Sequence, residues 1–331
     1  MSEPAAPSIS VVIPTHQRPE LLRRAVESCL PGTARELIEV IVVANGCKLA
    51  QESVSRFAGV RVIELAEANG NAARNAGLAA ARGRFVRFLD DDDYLLPEGA
   101  SLQHAVAAEA DADVCTGAIR LLDASGHQFQ VLAPHPAGDD FVAAMLSPGS
   151  TTQPTAHLFR TEFLKNLWWD PARPHLQDFA WMHAIMRRGD AKWVTVDQAV
   201  GVWQHHLHAR VSTGALKQFP DMALREMTAI TSETVQTLED QGRLTAARRR
   251  AAAQALWHCA HLGFPFSPRH WTRIALLART LDPTSRPAVN LYHRAPWRYL
   301  HPLVLEFLVL PKRSVTRAFE GRFRRAMPRG Q

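Results

Sequence analysis

Cysteine is scarce in this chain of 331 residues. There are four, Cys29, Cys47, Cys115 and Cys259, scattered and without a CxxC pair. That spacing excludes a disulfide framework and a cysteine-built zinc site, and suits a reduced, cytoplasmic protein. Also missing is any apolar run near the ~20 residues that span a bilayer. The longest late candidate, Leu303–Leu310, is far too short and contains Glu306. The opening MSEPAAPSIS has neither a basic start nor an apolar core, so it does not read as a signal peptide. No low-complexity tract and no internal repeat is present. With 47% hydrophobic residues, the length suffices for one large α/β domain with an appendage, or for two domains.

Acids are scarce in the last quarter. From residue 241 onward 17 Lys and Arg face only Asp282, Glu306 and Glu320, a balance of +14, whereas the rest of the chain carries −8. A mildly acidic body followed by a basic appendage points to a polyanionic neighbour. Within the appendage, Arg248–Arg250, Lys312-Arg313 and Arg322–Arg325 alternate with Trp257, Phe264, Phe266, Trp271, Trp297 and Leu303–Leu310. The pattern reads as helices able to lie on an anionic leaflet through 241–331, or as a solvated helical appendage or oligomer contact. No recognition motif accompanies the charge, so no nucleic acid is expected as a partner.

The first hundred residues alternate between strands and helices. Ser8–Thr15 (SISVVIPT) is a β-branched run stopped by Pro14, and Pro19 opens a helix to about Leu30. Ile38–Ala44 is a second buried strand closed by Asn45-Gly46, and Val60–Leu65 a third. Asn69–Ala81 is a helix of small residues, Phe85–Leu89 a fourth strand, and Pro97 starts the next helix. Such alternation implies a mostly parallel, doubly wound sheet. Further strands are expected at Ala112–Leu122, near Ala156–Arg160, and separately at Lys192–Asp197 and Val200–His205. From about Lys217 the pattern is helical, interrupted at Pro265, Pro268, Pro283 and Pro287, with a domain boundary near 215.

Four adjacent carboxylates, Asp90–Asp93, stand where the fourth strand ends, and ligands of open parallel sheets bind beyond strand ends. Such oxygens suit a hard divalent cation, or the dipole of the helix opening at Pro97. An EF-hand is a poor match, since its sixth position would be Leu95 and no Glu stands at the twelfth.

In order, the chain carries Pro14-Thr-His-Gln-Arg18, Ala44-Asn-Gly-Cys47, Asn69-Gly-Asn-Ala-Ala-Arg-Asn-Ala-Gly77 and Phe88-Leu-Asp-Asp-Asp-Asp93. This series resembles the inverting family-2 glycosyltransferases of the GT-A fold, closely over residues 8–100 and loosely over 150–215. The resemblance implies a GT-A nucleotide-diphospho-sugar transferase domain over 1–215, with a donor half at 1–100 and an acceptor half at 101–215. The helical basic region 216–331 lies outside it.

The resemblance also implies roles. A nucleotide-diphosphate sugar, with UDP favoured, would meet Pro14, Thr15, Arg18, Asn45, Arg74, Asn75, Asp90 and Asp91. Mn²⁺ or Mg²⁺ would be held by Asp92 and Asp90, with His206 near the ion or the diphosphate. Asp93 would support the turn. Asp178, in His175-Leu-Gln-Asp178, matches the second acid of the family's Glu-Asp or Asp-Asp pair and would be the general base; Gln177 replaces the first. His16 and Asn45 depart from the family's usual Tyr or Asn and Asp. Trp168, Trp169, Trp181 and Trp203 would serve either as acceptor platform or as core. The acceptor would be a saccharide or lipid-linked hydroxyl in surface polysaccharide or glycolipid synthesis, at the inner face of the plasma membrane. A degenerate GT-A binding module on the membrane is the alternative.

Overall fold

Valine and isoleucine crowd the first two strands because helices cover both faces of the sheet there. In the computed structural model, which describes residues 7–30, 38–48, 54–55, 57, 59–134, 138–204 and 220–326, β1 (Ile9–Thr15) is buried along its whole length. It pairs in parallel with β2 (Ile38–Asn45) on one side and β4 (Phe85–Phe88) on the other. β3 (Val60–Leu65) extends the parallel array beyond β2. Val11, Ile13, Val40 and Val42 pack against Leu22, Ala25, Val26 and Cys29 of α1 (Pro19–Cys29). Ile41 and Val43, on the opposite face, meet Ala73 of α2 (Gly70–Ala80).

Small residues in α2 let that helix approach the sheet closely. A Cβ at Gly77 would lie well inside van der Waals contact with Val12 Cγ1. Gly77→Ala should therefore destabilise the fold by about 1–3 kcal/mol, measured as a lowered urea midpoint. An unchanged midpoint would show that this contact yields without cost.

The remaining strands make the sheet mixed. After β3-β2-β1-β4 the order continues with β8 (His157–Arg160), β6 (Val114–Leu122), β9 (Trp193–Gln204) and β5 (Tyr94–Leu95), with β7 (Gln128–Leu132) beside β6. β8 runs antiparallel to both β4 and β6. β9 is parallel to β6, and the two-residue β5 is antiparallel to β9. Parallel pairing is thus confined to the first four strands and to β6–β9. β9 is one strand where the sequence reading expected two. Gly117 pairs with Val196 and the next residue, Ala118, with Ala199. Asp197 and Gln198 are extra residues, Val200 is another one pair later, and the ladder then resumes with the same partner. α3 (Pro97–Glu109) follows β5, and α4 (Gln177–Arg188) precedes β9.

By contact density the chain divides into two compact units, residues 1–145 with 149–214, and 146–148 with 215–331. The second is helical: α5 (Pro220–Asp240), α6 (Ala246–Gly263), α7 (Pro268–Leu281), α8 (Asn290–His293) and α9 (Pro302–Ala326). Trp257, Phe264 and Trp271 form its core with Leu256, Ala275 and Leu303. These three aromatics, read from sequence as candidates for a leaflet surface, are fully buried. Their indole nitrogens are used internally, Trp257 Nε1 donating to Ser285 Oγ at 3.1 Å and Trp271 Nε1 to Asp221 Oδ1 at 2.8 Å. Glu306 is completely buried beside His261 (2.6 Å) and Arg313 (2.8 Å). Among the described residues no helix is long and apolar enough to cross a membrane.

Candidate active site

The β4 ladder ends at Phe88, and a turn closed by Asp93 N donating to Asp90 O at 3.1 Å stacks four acids at the strand's carboxyl end. Each charge there has an answer. Arg74 Nη2 donates to Asp90 Oδ1 at 2.6 Å. Asp91 accepts from Thr15 Oγ1 at 2.7 Å and from Arg18 Nη1 at 3.2 Å. Asp92 takes Arg18 Nη1 at 3.0 Å, and its carbonyl takes Arg24 Nη2 at 2.6 Å. Asp93, wholly buried, accepts from Gln153 Nε2 at 3.0 Å and from the Gln204 amide at 3.3 Å, so it braces the turn. Burial, with Asp92 and Asp90 adding to it, pushes the Asp91 carboxyl up to about 6 against the opposing pull of Thr15 and Arg18. Carboxylate oxygens of Asp90, Asp92 and Asp93 lie within 4.8 Å of one another. Three clustered oxygen donors are a fitting set for a hard cation such as Mg²⁺ or Mn²⁺.

The loop after β1 is wound tightly to bring Thr15 and Arg18 to the same acids. Gln17 takes a left-handed conformation (φ 54°), and Pro19 then starts α1. Asn45 Nδ2 donates to Thr15 O at 2.9 Å, and the Asn45 carbonyl lies 2.6 Å from His16 Nδ1. Asn45 therefore holds the first loop in addition to facing the cleft.

α2 contributes a row of asparagines. Asn69 caps it, accepting from the amides of Asn71 and Ala72 at 3.1 and 3.0 Å, and reaches Pro171 O at 2.9 Å. Asn71 Nδ2 donates to Asp170 O and Arg173 O at 2.7 and 3.2 Å. Asn75, expected from sequence on the donor, does not line the cleft. Both ends of its amide pair with the Trp169 backbone, each at 2.8 Å. Arg74 stacks 4.7 Å from the Trp169 ring, which itself stacks on Trp181 at 4.3 Å with edges from Phe88 and Phe159. Trp169 and Trp181 are therefore core, Trp168 is exposed, and only Trp203 of the four faces the cleft.

The clamped segment leads to α4. Leu176 ahead of it is left-handed (φ 51°), a rare conformation for a leucine and a turn that directs Gln177 and Asp178 toward the acids. Asp178 is half-buried, and burial pushes its carboxyl up to about 7, opposed by Arg74 and reinforced by Asp90.

One cleft of about 350 Å³ collects Pro14, Thr15, Arg18, Asn45, Arg74, Asp90, Asp91, Asp92 and Asp178. His206 lies outside the described residues. The cleft also includes His16, Ala68, Gly70, Gln153 and Gln177. Gly70 belonged to a visible motif, whereas Gln153 sits in a stretch with no periodicity to flag it.

The family model described as glycosyl transferase family 2 matches residues 10–168. Among curated relatives, the uncharacterized glycosyltransferase EpsJ of Bacillus subtilis (strain 168) is 33% identical over 94 residues, 27% of this chain and 27% of that protein. The uncharacterized glycosyltransferase YibD of Escherichia coli (strain K12) is 31% identical over 111 residues, 32% of each chain. The succinoglycan biosynthesis protein ExoO of Rhizobium meliloti (strain 1021) is 29% identical over 143 residues, 40% of each. The matches thus span only about a quarter to two-fifths of these relatives. Among solved structures, S. aureus TarS 1–349 in complex with UDP-GlcNAc aligns with a TM-score of 0.56 at 17% identity, over 84% of this chain and 91% of that one. At that identity the likeness speaks for the fold, a GT-A-type mixed α/β sheet. Residues 10–168 thus carry a domain that matches the glycosyl transferase family 2 model, and the curated relatives that it resembles are named glycosyltransferases.

Proposed function

We propose that the chain is a metal-dependent, inverting glycosyltransferase that moves a sugar from a nucleotide-diphosphate donor to a hydroxyl of a saccharide or lipid-linked acceptor. The observation that carries this reading is one cleft holding both the acid turn and Asp178, a carboxyl raised to about 7. A general base works best with a pKa near the working pH, where it is ionised yet still basic. Asp178 would take the acceptor hydroxyl's proton as the oxygen attacks the sugar's anomeric carbon. Arg18 and Arg74 would bind the donor's diphosphate, their planar forks exchanging carboxylate for phosphate oxygens. Asn45 would meet the base. Asp90 and Asp92, backed by Asp93, would hold Mn²⁺ or Mg²⁺, which when bound neutralises charge on the leaving nucleoside diphosphate. UDP is the favoured nucleotide, supported by the UDP-GlcNAc complex of the TarS structure. Surface polysaccharide synthesis is favoured by the naming of ExoO.

Thermal shifts with UDP, GDP, CDP and dTDP, with and without Mn²⁺, test the donor site. UDP with Mn²⁺ should raise the midpoint, by about 2.7 kcal/mol of stabilisation at a hundredfold excess over Kd. Asp92→Asn should abolish the metal-dependent part. No shift with any nucleotide would overturn the donor site.

The helical unit favours a second element of this reading, docking on an anionic leaflet. Trp297 and Leu300, just before α9, and Val304, Phe307 and Leu308, in its first two turns, are each exposed, within a stretch of strongly positive charge. The chain should co-sediment with phosphatidylglycerol vesicles, less so as salt rises, and not with phosphatidylcholine vesicles. Equal recovery with both lipids would remove the electrostatic basis for this docking.

A further inference from the structure

Arg87 occupies a place where the strand calls for a hydrophobe. It pairs with Val11 in register, between Phe85 and Leu89, on the face of the sheet that packs against α1. Its side chain is fully buried, with a relative exposure of 1%. Nη2 donates to Gln103 Oε1 at 2.6 Å, and Gln103 Nε2 is itself committed to Cys115 O and Ala156 O at 2.6 and 2.9 Å. Nη1 is buried and has no hydrogen-bond partner. Burial pushes the guanidinium down to about 10, so it is still cationic at neutral pH. Nothing anionic surrounds it among the described residues. The Cys29 and Cys115 thiols that act on it are both pushed up to about 12, chiefly by burial, and so remain protonated. His104 is held neutral by burial, then by Arg87 and Arg84. A buried cation without a counter-charge is costly to keep.

Beside this group lies a cavity of about 230 Å³, lined by Arg87, Val11, Cys29, Leu95, Ala100 and His104 among others. It shares no lining residue with the cleft at the acid turn. We propose that this cavity is a second binding site, for a small monocarboxylate with an apolar body, the carboxylate taken by Arg87 Nη1. The walls are largely apolar and supply one cation, which balances a single negative charge and leaves a phosphate dianion uncompensated. A guanidinium edge matches a carboxylate in geometry. A cavity of about 150 Å³ accepts a benzene ring, so a ring bearing a carboxylate fits the larger space.

Isothermal titration of the full chain with benzoate tests the assignment. One saturable site is expected, with benzyl alcohol, the neutral analogue, at least tenfold weaker. Arg87→Met, confirmed as folded by circular dichroism, should lose benzoate binding. Ala100→Leu keeps the charge and fills the cavity from the α3 side, and should lose it too, which covers the case in which the arginine variant does not fold. No binding of benzoate to the wild type would overturn the proposal. So would benzyl alcohol binding as tightly as benzoate, or chloride or inorganic phosphate competing with it at equal affinity.

Discussion

Asp178→Asn should lower kcat by about 10²–10⁴-fold, the usual contribution of a positioned general base, while UDP affinity in the presence of Mn²⁺ changes little. The amide keeps the shape of the side chain and removes only its basicity. A pH profile adds a second readout. Asp178 acts only when ionised and its carboxyl is raised to about 7, so kcat/KM should fall tenfold per unit as pH drops below about 7. The linked effect on stability runs the other way. The native carboxyl holds its proton to about 7, whereas an unfolded one releases it near 3.8. The stabilisation from the neutral form is complete below that lower value and is lost as pH rises through 7. In Asp178→Asn this pH dependence should vanish together with the kinetic one. A variant that keeps full transfer activity would remove Asp178 from the chemistry. A wild type that binds UDP yet transfers nothing to any acceptor would favour a membrane-bound binding module.

Arg313→Met should destabilise the helical unit by about 3–5 kcal/mol, the cost of stripping one partner from a buried ion pair. Glu306 is wholly shielded from water, and its two oxygens are divided between His261 and Arg313. Arg313 also donates to the His261 carbonyl at 2.5 Å, tying α9 to the end of α6. Burial, with the Glu306 carboxylate adding to it, pushes the neighbouring Tyr292 hydroxyl far above its usual range, so Tyr292 stays neutral. Removing Arg313 alone leaves a buried carboxylate with only His261 and the neutral Tyr292 hydroxyl beside it. Adding Glu306→Leu removes that charge as well, so the double variant should be more stable than Arg313→Met alone. Urea unfolding followed by hydrogen exchange in residues 246–281 measures both. Equal stability of wild type and Arg313→Met would mean that water reaches Glu306.

Much of the first half of the fold was legible because it is buried on two sides. Continuous β-branched runs at 11–13 and 40–43 admit little else, and the motifs fall at the strand ends where ligands bind. The remainder depended on distant contacts. β8 has only four residues and gains its identity from strands on either side. The bulge at Asp197-Gln198 looks in sequence like a break between two strands. Trp168 and Trp169 are neighbours with opposite fates, one exposed and one stacked in the core. Glu306 marked an apolar run as too polar to span a bilayer, but its role as the centre of an ion network required Arg313 and His261 from other turns and helices. Asn75 lay in a recognisable motif, yet its partner is a backbone nearly a hundred residues away.

That last contact has a consequence for how acceptor preference can change. Asn69, Asn71 and Asn75 grip residues 169–173 only through main-chain atoms: the carbonyls of Trp169, Asp170, Pro171 and Arg173 and the amide of Trp169. The grip of the three asparagines is indifferent to which side chains project from positions 171–173. Positions 171–173 can be rewritten while the path toward Asp178 is kept, whereas the Asp170 side chain holds the turn by accepting from the Ala172 amide at 2.9 Å; under the function proposed above, 171–173 are the place to randomise residues when retargeting the acceptor.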